Sequence, residues 1–195
     1  MDLERVKELR ARTGAGISDC NKALADSNGD IEKAIEILRE KGIAKAVKKS
    51  GRETNQGIVS AYIHPGNQLG VLVEVNCETD FVARTPEFKA LANDIALEIA
   101  ALNPDFVSRD DVDDETINRE REIYSKQLEE DKKPANVIEK IVQGKIEAYF
   151  NEHCLLEMPY IKDESRTIEE LIKEHIAKFG ENISVRRFTR FKVGE

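Results

Sequence analysis

The sequence predicts an α+β protein: a three-helix domain over residues 1–49, then a core over residues 50–195 built on a three-stranded antiparallel sheet packed with helices. Three patterns predict it. Apolar residues recur at helical spacing three times within the first 49 residues. Strand patterns, with residues at period two assigned to shared faces, occur in three stretches, 56–64, 69–77 and 183–193. Between them two helical patterns meet at Asp131-Lys132-Lys133, which predicts a helical hairpin at about 115–151 inside the core.

Leu3, Val6 and Leu9 form the apolar stripe of a first short helix, which Thr13-Gly14 stops. Ser18 is placed to cap a second helix with Cys20, Ala23 and Leu24 inward, ending near Asn28-Gly29. Asp30 caps a third, whose Ile31, Ala34, Ile35 and Leu38 share one face before Lys41-Gly42. Three helices this short lie near the lower size limit for independent folding. Lys45, Lys48, Lys49 and Arg52, with Ser50-Gly51 between them, read as a linker, and a basic run this short is solvated more often than bound to RNA.

Gln56 to His64 reads as a strand with Val59, Ala61 and Ile63 on one face, and Pro65-Gly66-Asn67 turns it back. His64 lacks a Cys or Asp companion at ligand spacing and reads as a surface residue. In the next strand Leu69, Val71, Val73, Val75 and Cys77 share a face. The alternation then stops, and Phe81-Val82 arrive out of phase, flanked by Asp80 and Arg84. Two readings are open. Phe81 folds back to cap the sheet edge, or it is an apolar plug shown to a partner from a short connection. Pro86 opens a helix with Phe88, Leu91, Ile95, Ile99 and Leu102 at spacings of three and four, expected to pack on the hairpin and to end at Asn103-Pro104.

Residues 105–115 are acidic and loop-like. In the first hairpin arm, Thr116 to Lys133, Ile117, Tyr124 and Leu128 make a thin stripe, so that arm is expected to be largely exposed. Pro134 starts the second, with a broader stripe of Val137, Ile138, Ile141, Val142, Tyr149 and Phe150. Glu152-His153-Cys154 offers two adjacent ligands with no second pair, which argues against zinc. Thr167-Ile168-Glu169-Glu170 has the form of a capping box before Ile168, Leu171, Ile172, Ile176 and Phe179, and Gly180 ends that helix. In the last strand Val185, Phe191 and Val193 share one face, Arg186, Phe188, Arg190 and Lys192 the other. Basic residues around an aromatic are compatible with a single-stranded RNA platform. One such strand is thin support in a chain of net charge -8, which disfavours general nucleic-acid binding.

No apolar run reaches the roughly 20 residues that span a bilayer. Met1-Asp2-Leu3-Glu4-Arg5 opens directly into an amphipathic helix without a signal-peptide core. The three cysteines, Cys20, Cys77 and Cys154, are far apart and odd in number, as expected of reduced thiols in a bacterial-type cytoplasm. There is no Ser-His-Asp or Cys-His set, and Gly144-Lys145 lacks the rest of a phosphate loop. The residues therefore point to a binding module, not an enzyme.

The segment Glu74-Val75-Asn76-Cys77-Glu78-Thr79-Asp80-Phe81-Val82-Ala83-Arg84 resembles the second signature of the elongation factor Ts family, guanine-nucleotide exchange factors for the translational GTPase EF-Tu. Leu9-Arg10-Ala11-Arg12-Thr13-Gly14-Ala15-Gly16-Ile17, followed by Asp19-Cys20-Asn21-Lys22-Ala23-Leu24, is similar to the first. Asn182-Ile183-Ser184-Val185-Arg186-Arg187-Phe188 also fits the family. The resemblance implies that residues 1–49 are like a ubiquitin-associated domain that grips EF-Tu through Arg10, Gly14, Ala15, Gly16 and Ile17. It implies that Thr79, Asp80, Phe81 and Val82 insert into the partner and disturb its Mg²⁺ and phosphate site. The Mg²⁺ and GDP or GTP then belong to the partner, and this chain needs no cofactor. Longer members duplicate the core, so the single copy here implies a homodimer through a dimerisation-type core. Two weaker alternatives are an RNA-binding protein using Phe188 and an adaptor using the N-terminal bundle alone.

Overall fold

The computed structural model describes residues 3–129 and 134–195, and the turn expected at Asp131-Lys132-Lys133 lies outside them. The helices are α1 (Leu3–Thr13), α2 (Ile17–Asp26), α3 (Ile31–Val47), α4 (Asp80–Ala83), α5 (Pro86–Leu102), α6 (Asp114–Glu129), α7 (Ala135–His153) and α8 (Ile168–Phe179). The strands are β1 (Gln56–Ile63), β2 (Leu69–Cys77), β3 (Pro159–Tyr160), β4 (Asp163–Thr167) and β5 (Ile183–Lys192). An antiparallel sheet runs in the order β1-β2-β5, and a small ribbon pairs β3 with β4. The α+β class read from the sequence is the observed one. Two compact units divide the chain: residues 1–59, 74–90 and 170–185 in one, residues 60–73, 91–169 and 186–195 in the other.

In the first unit, α1, α2 and α3 enclose Val6, Leu9, Cys20, Ala23, Leu24 and Ala34, with Ile31, Ile35 and Leu38 packed against them. Asp30 caps α3 as expected, accepting the Lys33 N–H at 3.1 Å. Two local expectations fail. The N-cap residue of α2 is Gly16, so Ser18 sits inside the first turn and no side chain caps the helix. Helix α3 also runs through Gly42 to Val47. A Cβ at Gly42 would lie 3.3 Å from the Ala177 Cβ of α8. The glycine is a contact, not a stop, and packing there outweighs its helix cost of about 1 kcal/mol. Arg39, one turn earlier, pairs with Glu170 of α8 at 2.8 Å. Part of the predicted linker is thus helical, and Lys45 pairs with Asp19 at 2.9 Å.

Within the sheet, Val71, Val73, Val75 and Cys77 of β2 are buried, as the alternation predicts. Gly57 of β1 permits close approach to β2, since a Cβ there would meet the Val75 carbonyl oxygen at 2.3 Å. Strand β5 departs from its expected phase. Ile183 and Val185 are buried, Arg186 and Arg187 are both exposed, and Phe188 and Arg190 then become the half-buried residues. Phe191 and Val193, expected to share the face of Val185, are over 70% exposed.

In the second unit, Leu91, Ile95 and Ile99 of α5 are fully buried, and so is Glu98. The β3–β4 ribbon had no counterpart in the sequence reading, because two residues and a polar Asp-Glu-Ser-Arg-Thr carry no alternation signal. It is tied to α5: Tyr160 donates its hydroxyl to Asp94 at 2.6 Å, Lys162 reaches the other Asp94 oxygen at 2.6 Å, and the Ile161 N–H donates to Glu98 at 3.1 Å. Burial pushes the Glu98 carboxyl up to about 7, against the single backbone bond that favours its charged form. Arms α6 and α7 pack side by side, with the Lys145 ammonium over the Tyr124 ring at 4.9 Å. Val142 and Ile146 are buried. Ile146 falls outside the predicted stripe, while Val137, inside it, is exposed. His153 bonds Asp105 at 2.6 Å and stacks on Tyr149, whereas Cys154 is buried beside it.

Candidate functional site

Strand β2 ends where its alternation ends. After Cys77 the chain stays extended through Thr79, with φ -126° and ψ 154°, and then closes into the single turn of α4. Thr79 caps that turn, its Oγ1 accepting the Val82 N–H at 3.4 Å. Thr85 closes the other side: its hydroxyl donates to the Val82 carbonyl at 2.8 Å and accepts the Phe88 N–H at 3.2 Å, linking α4 to the start of α5. Ala83 is the buried residue of α4. Phe81 therefore points the other way and is 79% exposed. The reading in which it caps the sheet edge is excluded. Asp80 and Arg84 flank it and pair with each other at 2.7 Å, at the (i, i+4) spacing.

The turn is tied to the start of β5 by two carboxylates acting in opposite directions. Glu181 accepts the Thr79 N–H at 3.0 Å and the Thr79 hydroxyl at 2.6 Å. Glu78 accepts the Asn182 N–H at 2.6 Å and faces Arg52 at 3.4 Å. Asn182 is buried, and its amide donates to the Arg52 and Ser50 carbonyls at 2.8 and 3.3 Å. Lys49 donates to the Gly180 carbonyl. The basic residues after α3 thus anchor the turn that carries Glu181. The Cys77 thiol donates to the Thr79 carbonyl at 3.1 Å, and burial beside Glu181 pushes it up to about 11.

The other predicted contacts form a separate surface at the α1–α2 turn. Gly14 is left-handed at φ +67°, and its N–H closes α1 on the Arg10 carbonyl at 2.8 Å. Arg10, Gly14, Gly16 and Ile17 are exposed, while Ala15 is half-buried against the bundle core. Sequence reasoning missed Glu181 and left Glu78 and Asn182 without roles. The one local signal was the run Gly180-Glu181-Asn182, a helix stop followed by two hydrogen-bonding side chains.

A family model described as elongation factor TS matches residues 3–195. The chain is 59% identical to "Elongation factor Ts" of Syntrophomonas wolfei over 192 residues, 98% of this chain and 90% of that one. It is 58% identical to the protein of that name from Carboxydothermus hydrogenoformans, over 98% of this chain and 88% of the other. With the one from Thermoanaerobacter sp. strain X514 it shares 57% over its full length and 96% of the relative's.

Proposed function

The chain belongs to the elongation factor Ts family, and from that premise we propose that it binds the GTPase EF-Tu in the cytoplasm and promotes release of GDP. The observation that carries this reading is Phe81, a large apolar side chain held out into solvent on a braced helical turn. Inserted between helices of the partner, it shifts the groups that hold Mg²⁺ and the phosphates. Asp80 adds charge and hydrogen bonding beside it, and Thr79 and Val82 set its presentation through their capping bond. The mechanism is linkage: a factor that binds the nucleotide-free GTPase more tightly must weaken nucleotide binding by the same ratio. The factor performs no bond chemistry, and the Mg²⁺ and nucleotide are the partner's, so it uses no cofactor.

Residues 1–49 fold as a ubiquitin-associated-like domain with the apolar cluster described above, and grip EF-Tu through Arg10, Gly14, Ala15, Gly16 and Ile17. Exposure of four of these five supports the role. The core over residues 50–195 pairs with a second copy. Ile63, Leu72, Phe191 and Val193, exposed on the sheet strands and the residue after β5, support that pairing. Release of labelled GDP from purified EF-Tu tests the reading. The full chain accelerates release, and a chain carrying Arg10→Ala and Ile17→Asp needs a higher concentration for the same rate. Unaccelerated release by the full chain overturns it.

A further inference from the structure

We propose that Glu181 is a positioning residue for nucleotide release, acting through Thr79 on the turn that carries Phe81; this rests on the reading of Phe81 given above. A four-residue helix does not hold itself. Its first turn fixes several dihedrals for one hydrogen bond, so an isolated turn of this length melts in water. Helix α4 depends on its cap, and the cap depends on the polarity of one hydroxyl. The Thr79 Oγ1 accepts the Val82 N–H while its own proton goes to Glu181 at 2.6 Å. An acceptor-only carboxylate on that side leaves the oxygen's lone pairs for Val82. The second Glu181 oxygen takes the Thr79 N–H at 3.0 Å, fixing the extended backbone that an N-cap residue requires.

Glu181 also stands on an anchored element. It lies between Gly180, whose carbonyl accepts from Lys49, and the buried Asn182, whose amide holds the backbone at Ser50 and Arg52. The Glu78–Asn182 bond already joins the same two segments. A second carboxylate landing on the cap residue therefore adds orientation beyond attachment. Phe81 leaves the turn two residues after Thr79 and is 79% exposed, so its placement follows chiefly from the turn.

The chain has no tryptophan, so Phe81→Trp places a single indole reporter at the plug. In that background Glu181→Ala lowers the steady-state fluorescence anisotropy of the free factor, and Glu181→Gln, which keeps one acceptor oxygen for two donors, lowers it less. With Phe81 in place, GDP release from EF-Tu at saturating factor slows about tenfold for Glu181→Ala, the loss of a hydrogen bond to a charged group. It slows less for Glu181→Gln, and the factor concentration at half-maximal rate changes little. Lowered anisotropy together with slowed release supports the inference. Unchanged anisotropy overturns it whatever Phe81 does, and so does wild-type release by Glu181→Ala where Phe81→Ala is slow. Wild-type release by Phe81→Ala instead overturns the reading of the plug. If Glu181→Ala melts below the assay temperature, Glu181→Gln carries the same comparison with the same outcomes.

Discussion

Phe81 and Phe191 are exposed to nearly the same degree, 79% and 71%, and the chain surrounds them differently. Phe81 stands alone on one helical turn, between an Asp80–Arg84 ion pair and a cap held by a carboxylate. Phe191 stands near the end of an edge strand, in a sheet that also exposes Ile63 and Leu72, with Val193 just beyond the strand. A single braced side chain suits insertion into a pocket. Several apolar side chains on a sheet suit burial against another surface of similar extent. Exposure alone does not identify a site; what fixes the exposed group, and what lies beside it, says which kind of contact it is built for.

The largest expected effect tests whether the two regions can be disturbed separately. Glu98 lies in the second unit with Phe191, and the nearby Asp94 charge raises its carboxyl in the same direction as burial does. Its folded pKa, about 7, lies above the ordinary 4.5, so the folded chain holds this proton more tightly than the unfolded one. Its contribution is full at low pH and is lost as pH rises from 4.5 through 7. The loss is on the order of 3 kcal/mol by pH 8. Denaturant titrations at several pH values should show the decline, and Glu98→Gln should flatten it. An unchanged slope in that variant would assign the decline to other groups.

Next comes Phe81→Ala. Removing a core phenylalanine costs about 3–5 kcal/mol of stability, but this ring has little native packing to lose, so the melting temperature should hold. The loss should fall on GDP release at saturating factor, by about 2 kcal/mol or more, thirtyfold in rate. A large drop in stability would make Phe81 a structural residue and erase the contrast with the sheet. Smaller again is Phe191→Asp, which places a charge in the apolar sheet surface. We expect it to weaken the proposed self-association about tenfold in sedimentation, the scale of one buried apolar contact; wild-type association would remove Phe191 from the proposed pairing. The smallest is Asp80→Ala. It removes an exposed ion pair worth under about 1 kcal/mol, and should slow release a few-fold without moving the melting temperature. A loss as large as that of Phe81→Ala would shift the emphasis from plug to charge.

The parts legible in the sequence are those set by local pattern. Val71, Val73, Val75 and Cys77 alternate because one sheet face is buried, and Asp30 caps α3 by a rule spanning three residues. Gly42 misled because propensity marks it as a stop, while the contact that overrides propensity is with Ala177, far along the chain. The phase of β5 shifts at Arg186-Arg187, which no window of alternating residues reveals. Phe81 falls between β2 and α5, where the broken alternation leaves two readings open, and its exposure excludes the one in which it caps the sheet edge. The role of Glu181 is hardest to read, since its bond to Thr79 closes over 102 residues and only the helix stop at Gly180 marks its place.

The three cysteines carry a practical consequence. All are buried, and burial raises each thiol's pKa, to about 11 for Cys77 and Cys154. At neutral pH the thiolate fraction of those two is on the order of one in ten thousand, and the thiolate is the species that reacts. Maleimide dyes should therefore pass over the native chain. A cysteine introduced on the exposed α1–α2 turn, as in Ile17→Cys, would then be the one fast-reacting position, and a fluorophore there would report contact at the N-terminal surface without any native cysteine being removed.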